Sequence, residues 1–247
     1  MRLARIVLTA LVIAGLGGVA WAGGMDVRIK PNLVKVGLFF GGAKVELSGQ
    51  VPEGAQVAVL LQGPAEDDVF KVKTRTLGVF WLNQGKVVFH HVPSVYCLYT
   101  TPGIEPQCLE EIGLGFKALE ARVGIDSQAH RDKDFLFNEF VKLKSSHRLY
   151  GLYSGAVELK GRQVHAQLEI LPRMPRGHYD VKVVVLKQGK VIASKLLAVE
   201  LKETELLAKL ISLVKNHGLI YGILAVLVAV AAGLVMDLVV GTKGGAH

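Results

Sequence analysis

Leu219 to Val240 reads LIYGILAVLVAVAAGLVMDLVV, and this stretch constrains the chain more than any other. Eighteen residues up to Met236 carry no charge, and Tyr221 stands where an interfacial aromatic is expected. At about 1.5 Å per residue such a helix reaches about 33 Å, enough for a hydrocarbon core of about 30 Å. Asp237 falls in the last turn, within reach of the headgroups. The segment predicts one transmembrane helix over residues 218–240.

The other end of the chain is also apolar. Arg2 and Arg5 precede an uncharged run from Ile6 to Ala20, and Ala20-Trp21-Ala22 forms the small-x-small pattern of a signal-peptidase site. Residues 1–22 therefore read as a signal peptide, with an uncleaved anchor as the alternative. An export signal followed by a stop-transfer helix places the middle of the chain outside the inner membrane and leaves 241–247 as a short cytoplasmic tail. Lys243 is the only cation of that tail, whereas Lys209, Lys215 and His217 lie on the exported side. The positive-inside bias gives this topology no help, and the export signal has to dominate. The expected location is a bacterial inner membrane, with the large N-terminal domain in the periplasm.

Composition narrows the class. Hydrophobic residues make up 51% of the chain and charged residues 20%, with a net charge of +8 and a mean hydropathy of +0.38. That balance excludes disorder. Two cysteines exclude a disulfide-dense scaffold, and two apolar segments are too few for a multi-pass transporter. Without interleaved aromatic and basic residues, an exported chain of this charge points to anionic headgroups and away from nucleic acid.

Between the ends, strand patterns dominate. Val27-Arg28-Ile29-Lys30 and Ala43 to Leu47 alternate, and Ala55 to Leu61 is a continuous apolar run, as expected for a strand covered on both faces. Val69 to Thr76, Gly78 to Leu82 and Lys86 to Val92 follow, with a turn expected at Asn83-Gln84-Gly85. Helical spacing then takes over. Leu109, Ile112, Phe116, Leu119 and Val123 form one stripe, and Phe135, Phe137, Phe140, Val141 and Leu143 form another. This predicts a helical hairpin over about 109–146, joined near Gly124 to Ser127. Strands return at Gly155 to Leu159, Gln163 to Leu171, Tyr179 to Leu186 and Val191 to Leu201, the last two joined by a turn at Lys187-Gln188-Gly189-Lys190. The fold class is mainly β: one exported Ig-like β-sandwich over 23–202 with an inserted helical hairpin, and two sandwiches as the alternative. An amphipathic membrane-proximal helix follows over 203–217, with Leu206, Leu207, Leu210, Ile211 and Val214 on one face.

The candidate sites are few. Cys97 and Cys108 are the only cysteines of an exported chain, so a disulfide is expected, stabilising by roughly 2–3 kcal/mol. Metal binding with His90 and His91 is the rival, although adjacent strand residues point to opposite faces. Lys71, Lys73 and Arg75 alternate along a strand, which aligns three cations on one face about 7 Å apart. Such a stripe suits an oxyanion or an acidic partner, and a solvated strand face is the plain alternative. Arg173 and Arg176 form a second basic spot near a turn. Gly113 to Ala118 matches the loose form GxGxxA, but no βαβ alternation surrounds it, so a dinucleotide site is not expected. No motif for a metal, a cofactor or a catalytic nucleophile is identified, and the reading is a non-enzyme.

The ordered phrases LLQGP at 60–64, KTRTLGVFWLN at 73–83, VPSVYCL at 92–98, IGLG at 112–115, LYGLYSG at 149–155, LPRMPRGHYDVKVVVLKQGKVI at 171–192 and LIYGILAVLVAVAAG at 219–233 are similar to the "putative transmembrane protein" family (Alph_Pro_TM-like) first grouped from alphaproteobacteria. The resemblance implies a signal peptide, an exported domain and one C-terminal span. It also implies a chain encoded beside multi-pass exporters of the sulfite and sulfonate (TauE/SafE-like) type, a neighbourhood association without a mechanism. It carries no activity, and Cys97 and Cys108 lie outside its pattern. The expectation is an accessory or interaction subunit of a membrane transporter, one moving sulfur oxyanions being the nearest candidate. A free-standing anion- or envelope-component-binding module is the alternative.

Overall fold

The computed structural model describes residues 25–76, 80–128 and 132–241. The expected signal peptide 1–22 and the tail beyond Gly241 lie outside them, as do the side chains of 72–84. In chain order the strands are β1 (Asp26–Lys30), β2 (Leu33–Val36), β3 (Ala43–Gln50), β4 (Gln56–Gln62), β5 (Ala65–Thr76), β6 (Phe80–Pro93) and β7 (Tyr96–Thr100). Two short helices follow, α1 (Pro106–Glu111) and α2 (Phe116–Glu120), then β8 (Gly124–Ser127) and α3 (Lys133–Ser146). The second strand block is β9 (Tyr150–Ser154), β10 (Val157–Lys160), β11 (Gln163–Ile170), β12 (Gly177–Lys187) and β13 (Lys190–Glu203), and the chain ends on α4 (Glu205–Asn216) and α5 (Gly218–Gly241).

Two sheets face each other across the main core. One has the order β1-β3-β11-β10 and the other β2-β13-β12-β4-β7-β9. β3 and β11 pair antiparallel from Ala43↔Ile170 to Gln50↔Gln163, and their alternation puts Val45, Leu47, Val164, Ala166, Leu168 and Ile170 inside. From the opposite sheet Val57, Val59, Leu61, Tyr179, Val181, Val183 and Val185 meet them. The two strand blocks interleave, β3 with β11 and β4 with β12, so they build one two-sheet unit.

The outer face of the six-stranded sheet is buried as well. Ala58, Leu60, Tyr96, Leu98, Val184 and Leu186 pack under Leu109 of α1, Leu119 of α2, and Leu136, Phe137 and Phe140 of α3. Val87, Phe89 and Ile125 of a third sheet, order β5-β6-β8, complete this cluster. Phe140 stacks on Phe89 at 4.4 Å and meets Phe70 and Tyr150 edge-on at 5.7 and 5.6 Å. β4 is buried from Val57 to Leu61 because both its faces are covered, as its unbroken apolar run predicts.

Three expectations require correction. The helical hairpin is instead three helices and a strand, because Gly113 (φ +76°) ends α1 and residues 124–127 pair with β6. A cover also comes from a separate hairpin, β5-β6, so two insertions pack together. Asn83-Gln84-Gly85 is no turn: the β5-β6 hairpin reverses between Thr76 and Phe80, and Gly85 (φ +128°) sits at a register shift inside β6. The Lys187–Lys190 turn is as expected, with Gln188 and Gly189 at positive φ.

α5 covers the segment expected to span the membrane, 24 residues of helix and about 36 Å long. Its side chains are described at 218, 219 and 221–237, and they are exposed. Among the described residues no helix is long and apolar enough to cross a membrane. His217 is not helical, so α4 and α5 are separate helices.

Candidate functional site

β5 is the outer strand of its sheet and holds the expected basic stripe at alternate positions: Lys71 opposite Lys86, Lys73 opposite Asn83, and Arg75 opposite Trp81. Phe70 turns inward onto Phe89 and Phe140, which leaves Lys71 exposed on the outer face. Lys86 is exposed beside it, a like-charged cross-strand pair. Only the backbone positions of Lys73 and Arg75 are described. Arg173 and Arg176 are elsewhere, in the β11–β12 connection on the sandwich. Arg176 is paired with Glu203 at 3.0 Å, and Arg173 is exposed.

The expected disulfide is not formed; Cys97 and Cys108 are free thiols. Cys97 points from β7 into the core between the two large sheets, whereas Cys108 packs against the cluster on the other face of the six-stranded sheet. The sheet itself stands between them. The Cys97 Sγ donates to the Leu149 carbonyl at 3.4 Å, and burial pushes its thiol up to about 12.

Polar side chains tie the insertions together, His90 among them, which the sequence offered only as a metal ligand. His90 lies between two carboxylates, with Nδ1 3.0 Å from Asp67 Oδ2 and Nε2 3.1 Å from Asp126 Oδ2. It thereby links β5, β6 and β8. The hydrogen bond to Asp67 is the main cause of a raised His90 pKa. Asp67 is lowered in turn, first by accepting the His91 backbone N–H at 2.9 Å and then by His90. Both ring nitrogens are engaged by carboxylates, and among the described residues no group of three His, Cys, Asp or Glu is arranged to hold a metal ion.

Lys144 is buried in α3 with its Nζ 2.6 Å from Asp68 Oδ2 and 3.8 Å from Glu66 Oε1. The same ammonium lies 5.4 Å from the Phe140 ring centre and 6.0 Å from that of Tyr150. A signal was available: Lys144 continues the apolar stripe of Leu136, Phe137 and Phe140, and an acidic run at Glu66-Asp67-Asp68 opens β5.

The GxGxxA segment has a structural explanation. The Glu110 carboxylate accepts the backbone N–H groups of Lys117 (3.3 Å) and Ala118 (3.0 Å), occupying the α2 N-terminus where a phosphate would bind. A Cβ at Gly115 would collide with that carboxylate. The segment is a helix cap.

The class is thus a layered, mainly β protein that carries a long apolar helix at its C-terminus. It belongs to the family described as "Putative transmembrane protein" (Alph_Pro_TM), whose model matches residues 25–241 and so takes in every strand and helix described. No curated protein matches the chain.

Proposed function

We propose that this chain is a non-enzymatic accessory subunit, anchored in a bacterial inner membrane by α5, that presents an Ig-like sandwich in the periplasm to a multi-pass transporter. The C-terminus is cytoplasmic in this reading. Support for the anchor comes from a 24-residue apolar helix of about 36 Å and from a family described as transmembrane. Support for the Ig-like assignment is the strand order. β1-β3-β11-β10 corresponds to strands A, B, E and D, and β13-β12-β4 to G, F and C, with β7 and β9 in the places of C′ and C″. Tyr179, at the start of the strand matching F, donates its hydroxyl to the Pro175 carbonyl at 2.6 Å, the arrangement of a tyrosine corner.

The observation that carries the interaction role is β5. It is a 12-residue outer strand with cations at 71, 73 and 75, and its outward backbone edge can pair with a partner strand. The other polar clusters serve the fold: His90 and Lys144 join the insertions, and Glu110 caps α2. Sulfur oxyanions enter through the family resemblance alone.

The test is a mild-detergent pull-down of the full-length protein, wild type and with Lys73→Glu and Arg75→Glu, followed by mass spectrometry. A multi-pass transporter recovered at near-equal stoichiometry by the wild type, and lost by the charge-reversed variant, is the expected result. Recovery of the protein alone across several detergents would refute the reading. The second reading, an anion-binding module needing no partner, is favoured by the adjacent exposed Lys71 and Lys86. It predicts sulfite or sulfate binding by the purified protein, abolished by the same reversals.

A further inference from the structure

The loop between β2 and β3 carries the most exposed large apolar side chain of the sandwich, with a second beside it. Phe39 is 100% exposed and Leu38 53%, while the next residue, Phe40, packs on the core. A soluble surface has no use for two adjacent apolar residues held at the tip of a turn, here closed by the Phe40 N–H donating to the Gly37 carbonyl at 3.3 Å. The place of this loop is specific. The Thr204 N–H donates to the Val36 carbonyl at 3.0 Å, and a Cβ at Gly37 would lie 3.7 Å from the Thr204 side chain. Thr204 is the residue before α4, so the loop stands where the chain leaves the sandwich for its two C-terminal helices.

The surroundings carry both signs: Glu203, opposite Val36, is paired with Arg176, and Glu205 opens α4, while exposed cations stand on two sides. β2 and β13 run parallel with Lys35 beside Lys202, both exposed, a like-charge pairing that is unfavourable without anions. On the other side, Gly42 approaches the Ile170 carbonyl and Pro172, which brings up the β11–β12 connection with exposed Arg173. Apolar tips with exposed cations on two sides, Lys35 with Lys202 and Arg173, match the interfacial zone of an anionic bilayer, where aromatic and aliphatic groups enter the acyl boundary and cations meet phosphates. The break at His217 makes α4 a helix of its own between the sandwich and α5.

We propose that Leu38 and Phe39 form a second lipid contact of the exported domain, a foot inserted into the outer leaflet of an anionic membrane beside the anchor. This rests on the reading of α5 as the anchor, and the experiment separates the two. Full-length protein carrying Trp21→Phe and Trp81→Phe is reconstituted in phosphatidylcholine–phosphatidylglycerol vesicles with one added reporter: Phe39→Trp, Leu224→Trp in α5, or Lys187→Trp. Lys187 ends β12 opposite Lys190, the first residue of β13, and so lies about 45 Å from Thr204 at about 3.3 Å per residue. Quenching by lipids brominated on the upper acyl chain is then measured.

The expected result is strong quenching of Leu224→Trp, none of Lys187→Trp, and about twofold quenching of Phe39→Trp, as for insertion by about 5–10 Å. It should weaken when Lys35 and Lys202 are both changed to Glu. Quenching at Leu224 with Phe39→Trp no different from Lys187→Trp overturns the foot and leaves the anchor standing. A blue-shifted but unquenched Phe39→Trp means that protein covers the loop, which also overturns it. No quenching at either Leu224 or Phe39 removes the anchor reading and the foot together.

Discussion

Replacing Asp68 with Asn probes the joint between α3 and β5 directly. Lys144 is 9% exposed in its side chain and Asp68 23%, with 2.6 Å between Nζ and Oδ2. Removing one partner of a buried pair costs about 3–5 kcal/mol, because the remaining charge stays desolvated. Asp68 keeps some water, and Glu66 still lies 3.8 Å from the ammonium, so the expected cost is near the lower end, about 3 kcal/mol. For a domain of this size each kcal/mol moves Tm by about 2–4 °C, which gives a drop of about 6–12 °C. Lys144→Met should cost less, since the carboxylates it leaves behind are the more exposed partners. The double variant Asp68→Leu with Lys144→Met should recover most of the loss, because no charge is then left buried. The assay is thermal unfolding of the full-length protein in detergent, followed by the circular dichroism of its β-sheets. A Tm within about 2 °C of the parent for Asp68→Asn, or a double variant no more stable than that single one, would refute the reasoning.

Three further outcomes follow from the described side chains. His90 has its pKa raised above 6.5 by its carboxylate partners, so its stabilising contribution is full below pH 6.5 and fades as pH rises through the raised folded value. His90→Gln should flatten that part of the Tm–pH profile, and an unchanged slope would remove the clamp. Intact mass after alkylation at pH 8 should show one adduct on the native protein, at Cys108, and two after unfolding without reductant, because Cys97 is buried with its thiol pushed up to about 12. No adduct after unfolding would mean that the two are bridged. Tyr179→Phe deletes the hydroxyl bonded to Pro175 and should lower stability by about 1 kcal/mol, seen as a Tm shift of about 2–4 °C without loss of sheet signal.

How much of this was legible depends on the range of the interaction. The alternation of Val45, Leu47, Val164, Ala166 and Leu168 is local, since a strand with one wet face has to repeat every second residue, and those strands were read correctly. The same holds for the unbroken run of β4 and for the Gln188-Gly189 turn. Asn83-Gln84-Gly85 misled because glycine at positive φ serves a bulge as well as a turn, and only the pairing of β5 with β6 distinguishes them. The insertion misled for a related reason. Gly124 to Ser127 has the composition of a linker, yet it becomes a strand because β6 offers it an edge.

The candidate sites divide in the same way. The basic positions of β5 are a property of the strand period, and the amino-acid order alone aligns Lys71, Lys73 and Arg75. Whether Cys97 meets Cys108 is set by which face of the six-stranded sheet each one reaches, and a separation of eleven residues carries no record of that. Lys144 with Asp68, His90 with Asp67 and Asp126, and the exposed loop at Phe39 beside Thr204 each join residues far apart in the chain. The sequence by itself determined the strand periods and the apolar C-terminal helix, because periodicity and hydropathy are summed over neighbours, and its ordered phrases carried the family resemblance. Only the tertiary structure decided the layering of the insertions, the ion pairs between them and the surface beside the start of α4. Those depend on charge and packing across contacts whose partners the folded sheets select.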